Sequence, residues 1–300
     1  MFGHVWTRGA QSPTERFSII CRLNSESRDP RFVGRLSDGS IVCFAREPIP
    51  GRKREVVRVS LEGRLLEANM LYPAQMARTL PKFLSWVSGP NGELGFRRES
   101  LITHLFWRDL YSFLTLEQIL RHAQELALGL HHLHTSLHHM HGDVTPANIG
   151  FRRETGVWRA VLFDLEMAHL SGMRPFGVCP TKIVCTAQYA TPEQICSKPQ
   201  TEATDLLGLV HTILGVILKR HCFEAETIDE LASMCRDLVY MFHWDEVEEA
   251  LGCKEASDCL RSVAHVRPEN RAFQQAWPFA VALSRLRRSL PAHVLAHCIP

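Results

Sequence analysis

Residues 141–149 read HGDVTPANI, and this segment is the most informative part of the chain about its fold. It places an acid, Asp143, and an amide, Asn148, five residues apart on a segment that contains Pro146, and proline is typical of turns and loops. Each of the two polar side chains could simply bond nearby backbone in a capped turn. The residues C-terminal to this segment decide between a turn and a functional loop.

A third polar side chain lies at the end of a strand. Residues 149–151 (IGF) and 160–163 (AVLF) read as two short strands, and Asp164 comes directly after the second. Carboxylate and amide oxygens are hard ligands for Mg²⁺, which keeps part of its coordination shell for water and phosphate. A further carboxylate that is not committed to the metal could accept a hydroxyl proton. This set predicts phosphoryl transfer, in which the protein positions groups and neutralises charge.

The whole chain has the composition of a globular protein. Its 300 residues are 45% hydrophobic and 22% charged, with a formal net charge of +2, which excludes a disordered tail, a fibrous repeat and a coiled coil. The near balance of charge argues against direct nucleic-acid binding.

Ten cysteines without a CxxC pair indicate neither a disulfide scaffold nor a zinc ribbon. Residues 1–16 do not resemble a signal peptide, and the longest apolar stretch, residues 206–218, is too short for a bilayer, so we expect an intracellular protein that does not bind membranes.

The pattern of apolar residues divides the chain. Residues 1–30 lack clear periodicity, and we expect an irregular lead-in. In residues 31–106, short apolar runs alternate with turn signals, which predicts a small β-rich region with one short helix. Residues 107–300 show helical patterns, the longest over residues 116–137, where leucine recurs at three- and four-residue spacing. The expected fold class is α+β, with a small β-rich N-terminal lobe and a larger helical C-terminal lobe.

Several motifs in the same order resemble those of the protein kinase family. They correspond to the catalytic loop HRDLxxxxN, the strand ending in DFG, the YxAPE element that closes the activation segment, and the DxxxxG start of a buried supporting helix. In this chain they read HGDVTPAN (141–148), VLFDLE (161–166), YATPE (189–193) and TDLLGLV (204–210). In the last of these, two residues rather than four separate Asp205 from Gly208. Arg267 lies where the family places the arginine that pairs with the glutamate of the closing element, here Glu193. The resemblance covers residues 105–275 and implies a two-lobed kinase fold.

The resemblance also implies roles for residues of the C-terminal region. Asp143 would orient and deprotonate the substrate hydroxyl, and Asn148 and Asp164 would hold the magnesium that accompanies ATP. Asp109, in WRDL, would contact the ribose. Leu165-Glu166 departs from Phe-Gly, and the glutamate adds negative charge near the metal and lacks the backbone freedom of glycine.

The N-terminal motifs resemble the family less closely. The segment GRLSDGSI is similar to a glycine-rich loop that keeps its first and third glycines, which implies nucleotide contacts from Gly34, Gly39 and Ile41. A plain β-turn explains these glycines equally well. Arg58 stands in VVRV, where the family has the lysine that contacts the α- and β-phosphates, and Glu67 would be its partner on the following helix.

Several departures from the family pattern are similar to the protein kinases encoded by herpesviruses. Gly142 replaces the arginine of HRD, Thr145 replaces the lysine before the proline, and VVRV…LEANML is a compressed version of the usual spacing. This resemblance implies phosphorylation of serine and threonine in viral and host proteins, and a location in the host nucleus and the virion tegument. Without the HRD arginine no cation would receive an activation-loop phosphate, so activity is expected not to depend on that switch.

The sequence therefore predicts an ATP-dependent serine/threonine protein kinase that uses Mg²⁺, with Mn²⁺ as an alternative metal, and acts on protein substrates. The alternative is a pseudokinase scaffold with a degraded ATP site. It is favoured by Arg58, by the reduced glycine loop and by Leu165-Glu166, because the planar fork of arginine does not fit a site shaped for an ammonium. A small-molecule phosphotransferase on the same fold is a third hypothesis, and the YATPE element and Asp205 argue against it.

Six histidines between residues 131 and 141 suggest a second kind of site. His134 and His138 are one helical turn apart, which is a spacing of zinc ligands. No cysteine or acid completes an obvious ligand set before Asp143, and the structural explanation, that these histidines pack and hold backbone, is the simpler one.

Overall fold

The structure is a computed structural model of the 300-residue chain. The residues that it describes are 15–23, 31–36, 41–45, 80–81, 83–88, 94–98, 114–170, 186–196, 198–223, 230, 232–233, 243–265 and 267–299. The chain divides into two compact units, one of Met1–Met76 with Pro81–Glu99 and one of Ala77–Leu80 with Ser100–Pro300.

The N-terminal unit contains a five-stranded sheet in the order β3-β2-β1-β4-β5. Its strands are β1 (Glu15–Leu23), β2 (Arg31–Leu36), β3 (Ile41–Ala45), β4 (Phe83–Ser88) and β5 (Leu94–Arg98). Neighbouring strands are antiparallel, except that β1 and β4 pair in parallel. The β2–β3 and β4–β5 hairpins agree with the turn signals in the intervening sequence. The helix expected in this region lies outside the described residues.

Strand β1 falls within residues 1–30, for which the sequence predicts an irregular lead-in. Its sequence alternates apolar and polar residues, but Ile20 interrupts the alternation. The pairing with β2 shifts register between Ile19 and Cys21, which is the signature of a β-bulge that accommodates one extra residue. Because the bulge breaks the period of two, the strand is hidden from a search for alternation. The lead-in is therefore not irregular throughout.

The C-terminal unit is mainly helical. Its described helices are α1 (Leu116–Ser136), α2 (Pro192–Ile195), α3 (Glu202–Ile217), α4 (Trp244–Leu251), α5 (Lys254–Arg261), α6 (Ala276–Ser289) and α7 (Ala292–Leu295). Short strands form two antiparallel pairs, β6 (His139–Met140) with β9 (His169–Leu170), and β7 (Ile149–Glu154) with β8 (Val157–Leu162). Single 3₁₀ turns cover Pro146–Asn148, Leu165–Met167, Ala187–Tyr189 and Pro268–Asn270.

The long helix α1 begins at a capping box. The side chain of Thr115 accepts a hydrogen bond from the backbone N–H of Gln118, and the Gln118 side chain accepts one from the backbone N–H of Thr115. These two bonds satisfy N–H groups that have no partner inside the helix. The helix agrees with the one predicted over residues 116–137.

The core of this unit lies between α1 and its neighbours. Helix α1 packs against α6, β8 and α3. The buried face of α1 follows the leucine spacing of the sequence, since Leu116, Leu126, Leu130 and Leu133 are all at most 2% exposed. Helix α3 is buried on nearly all sides, which explains its almost continuous apolar sequence. Among the described residues, no helix combines the length and the apolar character that a membrane span requires.

Candidate active site

The loop that carries Asp143 connects β6 to the 3₁₀ turn Pro146–Asn148. The Asn148 side-chain N–H donates to the backbone oxygen of Asp143 at 2.9 Å and to its carboxylate Oδ2 at 3.0 Å. Both partners only accept, so they fix the amide nitrogen toward Asp143 and leave the amide oxygen for other ligands. The bond to the backbone oxygen is the local bond of a capped turn, and the bond to Oδ2 orients the Asp143 carboxylate.

The second carboxylate oxygen of Asp143 contacts Thr186. Oδ1 accepts from the Thr186 backbone N–H at 3.2 Å and from its hydroxyl at 3.1 Å. Burial has the largest effect on Asp143 and raises its pKa, and the nearby Asp164 raises it further, whereas His141 and the Thr186 bonds act in the opposite direction. A carboxylate that is more basic than usual is better suited to accept a proton.

Asp205, in the first turn of α3, holds the backbone that precedes Asp143. Its carboxylate accepts from the N–H of His141 at 2.6 Å and from the N–H of Gly142 at 2.9 Å. The side chain is 3% exposed, so these bonds are made in a site shielded from water. The expected supporting role of this helix is thus visible as two direct hydrogen bonds.

Two of the clustered histidines belong to this support. His134 Nε2 lies 2.9 Å from the Asp205 carboxylate, and its Nδ1 lies 3.6 Å from Glu202. Burial alone would lower the pKa of His134, but these two acids raise it to about 9. Burial has the largest single effect on Asp205 and would raise its pKa. The hydrogen bond and charge of His134, the charge of His141 and the Gly142 N–H together outweigh burial, so the pKa is lowered. His141 Nε2 contacts the carbonyl oxygen of Phe163 at 3.1 Å.

Gly142, in place of the arginine of HRD, is required by the backbone. Its φ is +79°, a conformation that side chains disfavour. A Cβ atom there would lie 2.8 Å from the carbonyl oxygen of Met167 and 3.0 Å from the ring of His169. The loop therefore has no room for a larger residue in this conformation.

Asp164 comes just after β8, close to Asn148 along the β7–β8 ladder. The ladder pairs Ile149 with Leu162, and the Phe163 N–H donates to the Asn148 carbonyl oxygen at 3.0 Å, so the two candidate ligands flank the same ladder end. Asp164 adopts the left-handed conformation, φ 65° and ψ 69°, which aspartate tolerates better than most residues. The amide oxygen of Asn148 and the Asp164 carboxylate are the donor types that fit Mg²⁺.

The other predicted site residues lie in the N-terminal unit or outside the described residues. Gly34 pairs with Val42 in the β2–β3 hairpin, and Ile41 begins β3 opposite Arg35. These two are thus on adjacent strands. Outside the described residues lie Gly39, Arg58, Glu67 and Asp109.

The prediction that Arg267 pairs with Glu193 is wrong. Arg267 is exposed, and the residue whose guanidinium lies 2.7 Å from the Glu193 carboxylate is Arg271. The turn Pro268–Asn270 separates the two arginines, and its geometry directs only the second into the interior. Nothing in the sequence pointed to Thr186, whose contact with Asp143 joins residues 43 positions apart.

A comparison with protein families matches the protein kinase domain over residues 99–277, which is more than half of the chain. No curated protein matches. The matched range contains the Asp143 loop, Asp164, Asp205 and the Glu193–Arg271 pair, whereas the N-terminal sheet precedes it. On this match and on the geometry of the loop, the chain belongs to the protein kinase domain family.

Proposed function

We propose that this chain is an ATP-dependent protein kinase that transfers the γ-phosphoryl group to serine or threonine hydroxyls of protein substrates. The observation that carries the proposal is the environment of Asp143. Asn148 orients its carboxylate, two hydrogen bonds to Asp205 hold the backbone before it, and burial raises its pKa. A turn with no chemical role would not need this support.

In the proposed mechanism Asp143 receives the proton of the substrate hydroxyl at Oδ1, where the substrate hydroxyl takes the place of the Thr186 hydroxyl. The substrate oxygen then forms a bond to the γ-phosphorus as the bond to the leaving diphosphate breaks. The Thr186 hydroxyl, bonded to Oδ1 at 3.1 Å, indicates that the carboxylate can accept from an aliphatic hydroxyl. The proposed specificity for serine and threonine is carried over from the sequence resemblance.

Asn148 and Asp164 would hold the metal in this mechanism. Magnesium bound there would neutralise the charge of the phosphates, and manganese is the alternative ion. For the nucleotide we propose contacts from Gly34, Gly39 and Ile41, with Asp109 at the ribose. The pair of Arg58 with Glu67 would complete the contacts with phosphate.

The second candidate is a pseudokinase scaffold. Arg58 and Leu165-Glu166 favour it, since both depart from the usual residues of the family. If Arg58 does the work of lysine, Arg58→Ala should remove phosphotransfer, and Arg58→Lys should keep or increase it. If the chain is a scaffold, the parent protein, Arg58→Ala and Arg58→Lys should all fail to transfer phosphate.

The test is transfer from γ-labelled ATP in the presence of Mg²⁺ or Mn²⁺, with Asp143→Asn as the control. We expect label on serine and threonine with the parent protein, and a loss of at least 10³-fold, roughly, with Asp143→Asn. Equal labelling by both proteins would remove Asp143 from the mechanism. No labelling by a folded parent protein would favour the scaffold.

The viral assignment is a proposal of its own. It rests on Gly142, Thr145 and the VVRV…LEANML spacing, which resemble kinases of herpesviruses. With it go the proposed viral and host substrates and the location in the host nucleus and virion tegument. Localisation of the tagged protein in infected cells would test it.

A further inference from the structure

A buried hydroxyl beside Asp143 has no hydrogen-bond partner among the described residues. It belongs to Thr145, which is 2% exposed. The backbone carbonyl of Thr145 is satisfied, because it accepts from the Asn148 N–H at 3.0 Å. Valine has the same shape as threonine without the polar group, so packing alone does not require a hydroxyl here.

The same residue lines a small cavity beneath the loop. Its volume is about 10 Å³, which is close to the least space that holds one water molecule. The polar residues of its wall include Asp143, Thr145, Thr204 and Asp205. The cavity wall therefore includes the residue with the unpaired hydroxyl and two acidic residues of like charge.

The wall offers both donors and acceptors. The Thr204 hydroxyl oxygen accepts from the Thr201 N–H at 3.0 Å, and its own proton remains to be donated. The Asp143 Oδ2 accepts from Asn148 and keeps capacity for a second bond. A buried water needs two to four polar partners, and these groups supply them.

We propose that this cavity binds one water molecule, that the Thr145 hydroxyl holds it, and that through it Thr145 is a positioning residue for Asp143. The water accepts from Thr145 and Thr204 and donates to the carboxylates of Asp143 and Asp205. It thereby separates the two like charges by a polar group that bonds to both. The positioning role rests on the proposed function, whereas the water site does not.

The water site is tested by high-resolution crystal structures of the parent, Thr145→Ser and Thr145→Val proteins. We expect density within hydrogen-bonding distance of the residue 145 hydroxyl in the first two and none in Thr145→Val. A dry cavity in the parent would overturn the proposal, as would a metal ion with several oxygens at about 2.4 Å.

Thermal unfolding gives a second readout that does not depend on activity. If the cavity holds water, Thr145→Val removes one of its partners and lowers the melting temperature, while Thr145→Ser changes it less. If the cavity is dry, Thr145→Val removes an unpaired hydroxyl and raises the melting temperature, which would contradict the proposal. Thr135→Val is the control, because that hydroxyl is exposed and bonds only the carbonyl of its own helix.

The positioning role is tested by the kinetics of the same variants. We expect Thr145→Val to lower kcat roughly tenfold, the effect of one lost hydrogen bond, with an unchanged KM for ATP. Thr145→Ser should retain most of kcat. Parent activity in Thr145→Val would overturn the positioning role. An inactive parent that still shows the water would instead refute the proposed function and leave the water site standing.

Discussion

The guanidinium of Arg271 lies 2.7 Å from the carboxylate of Glu193, and the two side chains are 0% and 5% exposed. Arg271 also donates to two backbone carbonyls, from Nε to His265 and from Nη1 to Ala203, each at 2.9 Å. One buried cation thus joins α2, the start of α3 and the segment after α5. Its removal would leave the Glu193 charge buried without a partner.

We therefore predict that Arg271→Ala lowers the free energy of unfolding by about 3–5 kcal/mol, as expected for a buried pair broken from one side. Arg267→Ala is the matched control, since that side chain is exposed, and it should change stability by less than about 0.5 kcal/mol. Urea unfolding of both variants provides the measurement. A larger loss in Arg267→Ala than in Arg271→Ala would contradict the pairing.

The same pair shows what the sequence could predict and what it could not. Glu193 is identifiable because YATPE is a contiguous motif, and Asp143, Asn148 and Asp164 are identifiable for the same reason. The sequence RPENR places an arginine on each side of a turn, and only the packing of that turn selects Arg271. Local motifs are thus readable along the chain, whereas a partner that depends on tertiary packing is not.

The same distinction between local pattern and tertiary packing explains why helix α1 was predicted and strand β1 was not. Helix α1 was predicted within one residue because a regular leucine spacing reports one buried face. Strand β1 was missed because a bulge interrupts its alternation. The requirement for glycine at position 142 comes from the carbonyl of Met167, which the loop meets only after folding.

Gly142 provides a second prediction. Gly142→Ala should destabilise the protein by about 2–4 kcal/mol, because it adds a Cβ contact of 2.8 Å with backbone to the cost of a positive φ. Gly156→Ala is the control: Gly156 has a φ of +85°, but nothing lies within 4 Å of its Cβ position. Gly156→Ala should lower the free energy of unfolding by only about 1 kcal/mol. Equal losses in thermal unfolding would show that the loop adjusts to the added atom.

The third prediction concerns the pH dependence of stability. The pKa of His134 is raised from its ordinary value of 6.5 to about 9 by Asp205 and Glu202. Because the folded state holds this proton more tightly, the stabilisation is fully present below pH 6.5 and is lost as the pH rises toward 9. This shift in the pKa of His134 corresponds to a contribution of about 3 kcal/mol to the free energy of unfolding.

Unfolding free energies measured between about pH 6 and 9.5 should therefore fall more steeply for the parent than for His134→Gln, which does not titrate. The difference between the two proteins should shrink as the pH approaches 9. A constant difference over this range would mean that His134 is neutral in the folded protein.

The last prediction concerns metal and nucleotide. If Asn148 and Asp164 hold magnesium, ATP should raise the melting temperature mainly when Mg²⁺ is present, by an amount that corresponds to about 2.7 kcal/mol at a hundredfold excess over Kd. Asp164→Asn should abolish the metal-dependent part, because it removes the negative charge while asparagine still tolerates the left-handed backbone at this position. Asp258→Asn, an exposed acid on α5, controls for the change in net charge and should respond like the parent. If ATP raised the melting temperature equally in EDTA and in Mg²⁺, the nucleotide would bind without the metal. That result would favour the scaffold over the active kinase.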